Sequence, residues 1–279
     1  MFKKSYAKIN LSLSIKDRNI NNYHNIESVM VSIDLYDILE ITINNTMTFS
    51  CNRSFIKYNE KNTIYKTIET LRQEYNFTTK FNIVLKKYIP IQAGLAGGSA
   101  NAATTIHLLD ELLHLNMSQK QMIFLARKIG SDVPFCLFNK PALVLNTGET
   151  LKFITNNMNI YVLLVKPRKG ISSKECFENL DLDNLYRPCY QNIIEALNDN
   201  DYNKLINNIG NSLQEQSIKQ LDDIKVIIDQ LLDLGFDQAI MTGSGSTVLG
   251  FSQDINLLNK TCKYYRNIEL FSKIVRIIK

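Results

Sequence analysis

With 279 residues, 45% hydrophobic and 21% charged, the chain can build one large or two modest domains around a real core, which excludes a wholly disordered polymer. A formal net charge of +5, with no dense Lys/Arg run and no basic residues interleaved with aromatic ones, suits an anionic small molecule and gives little support to a nucleic-acid groove. Five cysteines, an odd number with no close pair, argue against a disulfide framework and a zinc site and point to reduced thiols in a cytosol.

The N-terminal MFKKSYAKINLSLSI lacks the apolar run and cleavage-type ending of a signal peptide. No apolar segment approaches about 20 residues, so no membrane span is expected. From Ala7 to Ile15 apolar and polar residues alternate, as in a half-buried strand, and Lys8 and Asn10 share one face of it. Asp17 to His24 is polar and turn-like. Ile26 to Ile43 reads as two strands with Asp37 near their junction, and Phe81 to Tyr88 as another, ending before Pro90.

The period then changes. Between Gly98 and Leu115, Ala102, Ile106, Leu109 and Leu113 step by four, three and four, which marks one buried helix face. A second helix is expected from Ser118, its N-cap, to Lys128, with Gly130 beyond its end. Tyr161 to Val165 reads as a short buried strand and 191 to 210 as a helix. Gln220 to Leu234 carries Leu221, Ile224, Ile228 and Leu231 on one face and stops at Gly235. Gln238 to Met241 and Thr247 to Phe251 are strands flanking Thr242 to Ser246, and Leu270 to Ile278 is a last strand. Strands cluster instead of alternating with helices, so the class is α+β and not a doubly wound sheet. The polar, Asn-rich stretch from Ile154 to Ile160 is the best place for a boundary, giving domains of residues 1–155 and 156–279.

Four short segments could carry chemistry. The first is PIQAGLAGGS, comprising Pro90, Ile91, Gln92, Ala93, Gly94, Leu95, Ala96, Gly97, Gly98 and Ser99. Glycine lets backbone N–H groups approach a ligand, and the free N–H groups and positive dipole end of the following helix suit a phosphate. A Gly-rich turn into a tightly packed helix, with no ligand, explains the same residues about as well. The pattern is neither G-x-x-x-x-G-K-[ST] nor G-x-G-x-x-G, so P-loop and dinucleotide-fold enzymes fit poorly. The second is Thr242-Gly-Ser-Gly-Ser, where Gly243 and Ser244 either close on substrate or simply form a hairpin turn. The third is Asp132, ahead of an apolar run, which is either a turn former or a general base for an attacking hydroxyl. The fourth is Ala7-Lys8-Ile9-Asn10. There Lys8 is either a solvated edge charge or the partner of a carboxylate or phosphate. Of the three histidines, His24 follows Tyr23 in the polar turn, while His107 and His114 lack metal-ligand spacing.

In this order the pieces AKINLSLSI, Tyr23-His24 with IESVMVSIDLYD, PIQAGLAGGSANAA, GSDVPFCL and TGSGS resemble the GHMP kinase superfamily, over nearly the whole chain. The opening and the Tyr-His pair resemble the branch whose acceptor is a cytidyl diphosphate ester of methylerythritol, in non-mevalonate isoprenoid precursor synthesis. The resemblance implies a two-domain α+β fold with the active site in the cleft between the domains, and ATP phosphates on Pro90 to Ser99. It implies Asp132 as the base, with Lys8 as its charged partner. Asn10, Tyr23, His24, Gly243 and Ser244 would hold the acceptor, and Phe177 would be a second aromatic against the base. ATP brings Mg²⁺, for which Ser99 is a weak candidate and no other ligand is assigned. The expected enzyme is a cytoplasmic alcohol phosphotransferase without a nucleic-acid or membrane partner. Another GHMP kinase, for mevalonate, homoserine or a sugar, and a non-catalytic binding protein on the same fold stay open as alternatives. Three departures stand out: Asn21-Asn22 where Asp-Gly is usual, Ala96 where a glycine is usual, and Asn211-Ser-Leu-Gln where an acidic pair is usual.

Overall fold

The structure is a computed structural model describing residues 1–18, 24–178 and 180–279. In chain order the elements are β1 (Phe2–Arg18), β2 (His24–Asn44), β3 (Thr48–Cys51), α1 (Thr63–Tyr75), β4 (Lys80–Lys86), α2 (Gly97–Leu112), α3 (Gln119–Ile129) and α4 (Val133–Phe138). Next come β5 (Ala142–Asn146), β6 (Thr150–Phe153), β7 (Tyr161–Lys166), α5 (Ser173–Glu178), α6 (Tyr190–Asp199), α7 (Tyr202–Asn208), β8 (Gly210–Asn211) and α8 (Gln214–Gln220). The chain closes with α9 (Asp223–Asp233), β9 (Gln238–Met241), β10 (Val248–Phe251), α10 (Ile255–Asn267) and β11 (Phe271–Arg276). The α+β class read from the sequence is the class observed. The elements form two compact units. One comprises Met1–Ala7, Leu35–Ile89 and Ala96–Asn139; the other comprises Lys8–Asp34, Pro90–Leu95 and Lys140–Lys279.

In the first unit β3 pairs parallel with β4, and β4 pairs antiparallel with the end of β2, Ile38 opposite Lys86 through Asn44 opposite Lys80. Helix α2 packs on α1 and α4. Its small residues explain why: Ala100, Ala102 and Ala103 are buried beside Ile106, Leu108 and Leu109, so neighbouring helices come close. Three helix starts follow local rules. Asn62 caps α1 by accepting from the Ile64 N–H at 2.9 Å. Ser118 and Gln121 make a capping box on α3. Asp132 is the N-cap of α4, whose Pro134 sits in the first turn, but its side chain makes no capping bond.

In the second unit the start of β2 pairs antiparallel with β5, β5 with β6, and β1 with β8 in parallel. A separate four-stranded sheet runs β11-β7-β10-β9, with α9 and α10 packed on it. The core of this unit gathers Leu13, Ile15, Leu163, Val165, Leu231, Met241 and Tyr265.

Several expectations need correction. The stretch from Ile26 to Ile43 is one strand, not two, because the Asp37 carboxylate is satisfied inside the fold and does not break it. Residues 191 to 210 form two helices, α6 and α7, parted by Asn200 in the left-handed region (φ 56°) and recapped by Asp201. Leu221 ends α8, so α9 starts later than its apolar period suggests. Strand β1 is not half-buried. Its polar residues Lys8, Asn10, Ser12 and Ser14 are 3%, 4%, 0% and 1% exposed, as deeply covered as Ile9, Leu11 and Leu13 on the other face.

Candidate active site

Buried polar groups must find partners, and those on β1 are largely tied to one another and to the turn at 242–246. The Lys8 ammonium donates to Asn10 Oδ1 at 2.8 Å, and Asn10 Nδ2 donates to Ser28 Oγ at 2.7 Å. The Ser28 hydroxyl donates to the Ser12 carbonyl at 2.5 Å. The Asn10 backbone N–H donates to Thr242 Oγ1 at 2.9 Å, and the Lys8 N–H to the Leu95 carbonyl at 3.2 Å. Residues from the two ends of the chain are therefore hydrogen-bonded here, with one face of β1 as their common support.

The glycine loop divides between the units. Its first part, Pro90 to Leu95, lies against the 242–247 turn: the Thr247 N–H donates to the Ala93 carbonyl at 3.4 Å. Gly94 has φ +72°, and a methyl there would lie far inside contact distance of the Thr242 carbonyl oxygen, so only glycine fits. Gln92 and Ala96 also take left-handed backbone, at φ 49° and 53°. The Ala96 substitution thus falls where a glycine would be unstrained.

From Ala96 onward the loop belongs to the first unit and opens α2. The Ala100 N–H is the first to bond back, to the Ala96 carbonyl at 2.9 Å. The N–H groups of Gly97, Gly98 and Ser99 have no intrahelical acceptor. Thr63 donates to the Gly98 carbonyl at 2.7 Å and holds the turn from the side. The Ser99 hydroxyl has no hydrogen-bond partner among the described residues. At Gly97 the structure adds a packing reason for glycine. A Cβ there would come within 2.7 Å of Lys87 Nζ and 3.0 Å of Ile89, so the glycine is required by what lies beneath the loop.

That floor is a buried ion pair which sequence reasoning missed. Lys87 Nζ donates to Asp37 Oδ2 at 2.6 Å and to the Ile89 carbonyl at 2.8 Å, with side chains 6% and 0% exposed. Asp37 Oδ1 accepts from the Tyr88 and Ile89 N–H groups at 2.7 and 2.8 Å. Burial pulls the Lys87 ammonium below its usual range, and the Asp37 charge opposes that pull. The two residues are fifty positions apart, and the only sequence trace was a charged Asp inside an apolar strand.

Of the proposed acceptor residues, Tyr23 and the Asn21-Asn22 pair lie outside the described residues. His24 and Phe177 come together, with ring centroids 5.2 Å apart and a 35° tilt. Arg18 Nε donates to His24 Nε2 at 3.0 Å, so that nitrogen is the acceptor of a neutral ring. Burial, then the Arg18 charge, lowers the His24 pKa below 6.5. Gly243 sits at φ +57° beside Asn10 Oδ1, and Ser244 shares a 2.7 Å hydrogen bond with Ser173. Asn211, singled out only as a departure, donates from Nδ2 to the carbonyls of Met241 and Gly243 at 2.8 and 2.9 Å and so braces this turn. Among the described residues no cluster of three His, Cys, Asp or Glu could hold a metal, and no helix is long and apolar enough to cross a membrane.

Comparison with known proteins shows the family. Models of the GHMP kinases N terminal domain and the GHMP kinases C terminal match residues 62–140 and 193–267. A 4-diphosphocytidyl-2-C-methyl-D-erythritol kinase of Clostridium novyi (strain NT) is 36% identical over 271 residues, 96% of this chain and 96% of that one. One of Bacillus subtilis (strain 168) is 34% identical over 255 residues, 91% of this chain and 88% of that one. A crystal structure of 4-(cytidine 5'-diphospho)-2C-methyl-D-erythritol kinase shares the fold with a TM-score of 0.83 at 22% identity, covering all of both chains. Streptococcus pneumoniae phosphomevalonate kinase shares it at 0.72 and 13%, covering 100% of this chain and 99% of that one. The chain belongs to the GHMP kinases, in the family of 4-diphosphocytidyl-2-C-methyl-D-erythritol kinases.

Proposed function

We propose that this kinase transfers the γ-phosphoryl group of ATP to the 2-hydroxyl of 4-diphosphocytidyl-2-C-methyl-D-erythritol. The observation that carries the reaction type is the row of uncommitted N–H groups at Gly97, Gly98 and Ser99 on the positive end of a 16-residue helix. Pro90 to Ser99 would hold the phosphates. The acceptor is supported by full-length kinship and by His24 meeting Phe177, where a pyrimidine ring could stack. Asn10, Tyr23, Gly243 and Ser244 complete the acceptor set. The N-terminal domain is taken as residues 1–155 and the C-terminal one as 156–279.

In the step itself, Asp132 takes the proton of the acceptor hydroxyl as its oxygen bonds to phosphorus, and the bond from phosphorus to the ADP oxygen breaks. Asp132 suits this as a carboxylate at the start of α4, a group able to take a proton. Lys8 supplies positive charge from a fixed position, set by Asn10, and offsets charge on the transferred group. Mg²⁺ would neutralise phosphate charge when bound. The residues fit a hard cation held mainly by phosphate and water, with the unpartnered Ser99 hydroxyl as the protein's oxygen. The setting is taken as cytoplasmic, where the five cysteines would stay reduced.

The test is a transfer assay with purified protein, Mg-ATP and a panel of alcohols that includes mevalonate, homoserine, a sugar and the cytidyl ester. Preference for any other alcohol would overturn the substrate assignment. Asp132→Asn should lower kcat roughly 10²- to 10⁴-fold while ATP still binds. A near-normal kcat would remove Asp132 from the step.

His24 gives a pH dependence. Because its folded pKa lies below 6.5, the unfolded chain binds more protons just under that pH, so stability is lost as pH falls through the window. Protonation also sets an N–H against Arg18. KM for the cytidyl ester should rise between pH ~7 and ~5.5 while KM for ATP stays flat. Parallel changes in both would disconnect His24 from the acceptor.

A further inference from the structure

We infer that Ser28 is a positioning residue for Lys8, acting through the orientation of the Asn10 side-chain amide; the inference rests on the catalytic reading of Lys8. An asparagine amide can be turned over, exchanging its oxygen and nitrogen with little change of shape. What selects one orientation is the donor and acceptor character of its neighbours. Ser28 has one hydroxyl proton, and it is committed to the Ser12 carbonyl, which can only accept, at 2.5 Å. The Ser28 oxygen can then only accept from Asn10. This compels Asn10 to present Nδ2 to Ser28, at 2.7 Å, and so to present Oδ1 at its other end. That oxygen receives the Lys8 ammonium at 2.8 Å.

The relay therefore runs from a backbone carbonyl, through one hydroxyl and one amide, to the cation. Ser12 is fixed in turn, since its own hydroxyl accepts the Val29 N–H at 3.2 Å. All four side chains are 4% exposed or less, so water cannot readily substitute for a missing link. With the amide reversed, Nδ2 would face the ammonium, donor against donor, and Lys8 would be pushed from its place. A lysine that must meet a transferring phosphoryl group is sensitive to such a shift, because misplacement of about 1 Å can cost on the order of 100-fold in rate.

Ser28→Thr and Ser28→Val test this, since they differ only in a hydroxyl against a methyl group. Ser28→Thr should keep kcat within about threefold of the parent, and Ser28→Val should lower it between about 10- and 100-fold. KM for ATP should change little in both, and KM for the acceptor, which Asn10 also holds, should rise only in Ser28→Val. Equal kcat in the two variants, high or low, would overturn the relay, because volume and not the hydroxyl would then be what matters. Lys8→Met, measured alongside, separates the two readings. An active Lys8→Met enzyme refutes the catalytic role of Lys8 itself, whereas an inactive one beside a fully active Ser28→Val refutes the relay alone. If either Ser28 variant fails to fold, the wild-type enzyme still decides. Its Asn10 side-chain amide should show a slowly exchanging proton with a nuclear Overhauser contact to Ser28, and a freely exchanging amide would overturn the relay.

Discussion

The segment from Pro90 to Ser99 and the turn from Thr242 to Ser246 are built from the same kinds of residue, yet only the first runs into a long helix. In the turn, Gly243 and Gly245 take φ of +57° and +87°, and two hydroxyls and a carbonyl are engaged within the protein. Thr242 Oγ1 accepts from Asn10, Ser246 donates to the Lys169 carbonyl at 2.9 Å, and the Gly243 carbonyl accepts from Asn211. In the loop, Gly97 is needed because Lys87 and Ile89 lie under it, and the donors at 97–99 are left over. The turn spends hydroxyls and a carbonyl on holding neighbours, and the loop presents three N–H groups at the start of a helix. Glycine content therefore does not distinguish a brace from a cradle; the difference lies in the helix that follows the loop and aligns its N–H groups.

The largest blow to this contrast should come from beneath the loop. Lys87→Met leaves the Asp37 charge buried with only two backbone N–H groups, and breaking such a pair costs about 3–5 kcal/mol. Denaturant unfolding should show that loss, with weaker ATP binding; unchanged stability would mean that the ion pair does not support the loop. Gly94→Ala comes next, because left-handed backbone costs a non-glycine residue about 1–2 kcal/mol and the Thr242 carbonyl must also move. Melting temperature and calorimetric ATP affinity should both fall. If ATP affinity alone is preserved, the loop and the turn are independent.

The smallest effect has the opposite sign. Ala96→Gly relieves a strained φ of 53°, partly offset by the greater freedom of glycine in the unfolded chain. The net gain should be about 0.5–1 kcal/mol, read as a higher urea midpoint. A lower midpoint would show that Ala96 is stabilising as it stands.

Local signals were legible where local physics decides. The period of Ala102, Ile106 and Leu109 marked α2, Ser118 as an N-cap marked α3, and the glycines marked the loop. What stayed hidden depends on partners distant in sequence. Alternation in β1 reads as one wet face, and only the fold reveals that Lys8, Asn10, Ser12 and Ser14 are covered. Asp37 looks like a strand breaker until Lys87 is set beside it. Helices α1 and α10 were not expected, because their mixed polar faces hide the few buried residues, such as Ile64, Ile68, Leu71, Leu258 and Cys262. The bracing role of Asn211 could not be read from a residue whose own neighbours say nothing of the turn it holds.

The division of the chain has a consequence for anyone who would dissect it. The polypeptide passes from one compact unit to the other at 7/8, 34/35, 89/90, 95/96 and 139/140. No single scission can separate them, and no continuous fragment contains one without strands or loops of the other. A gene truncated after residue 155 would keep every segment of the first unit but strip the second of β7 to β11, stranding the buried polar residues of β1 without the turn that satisfies them. Such a fragment should be insoluble or aggregation-prone. In the intact chain, Asn10 must find Thr242 across 232 residues, so this hydrogen bond cannot form before most of the polypeptide has left the ribosome.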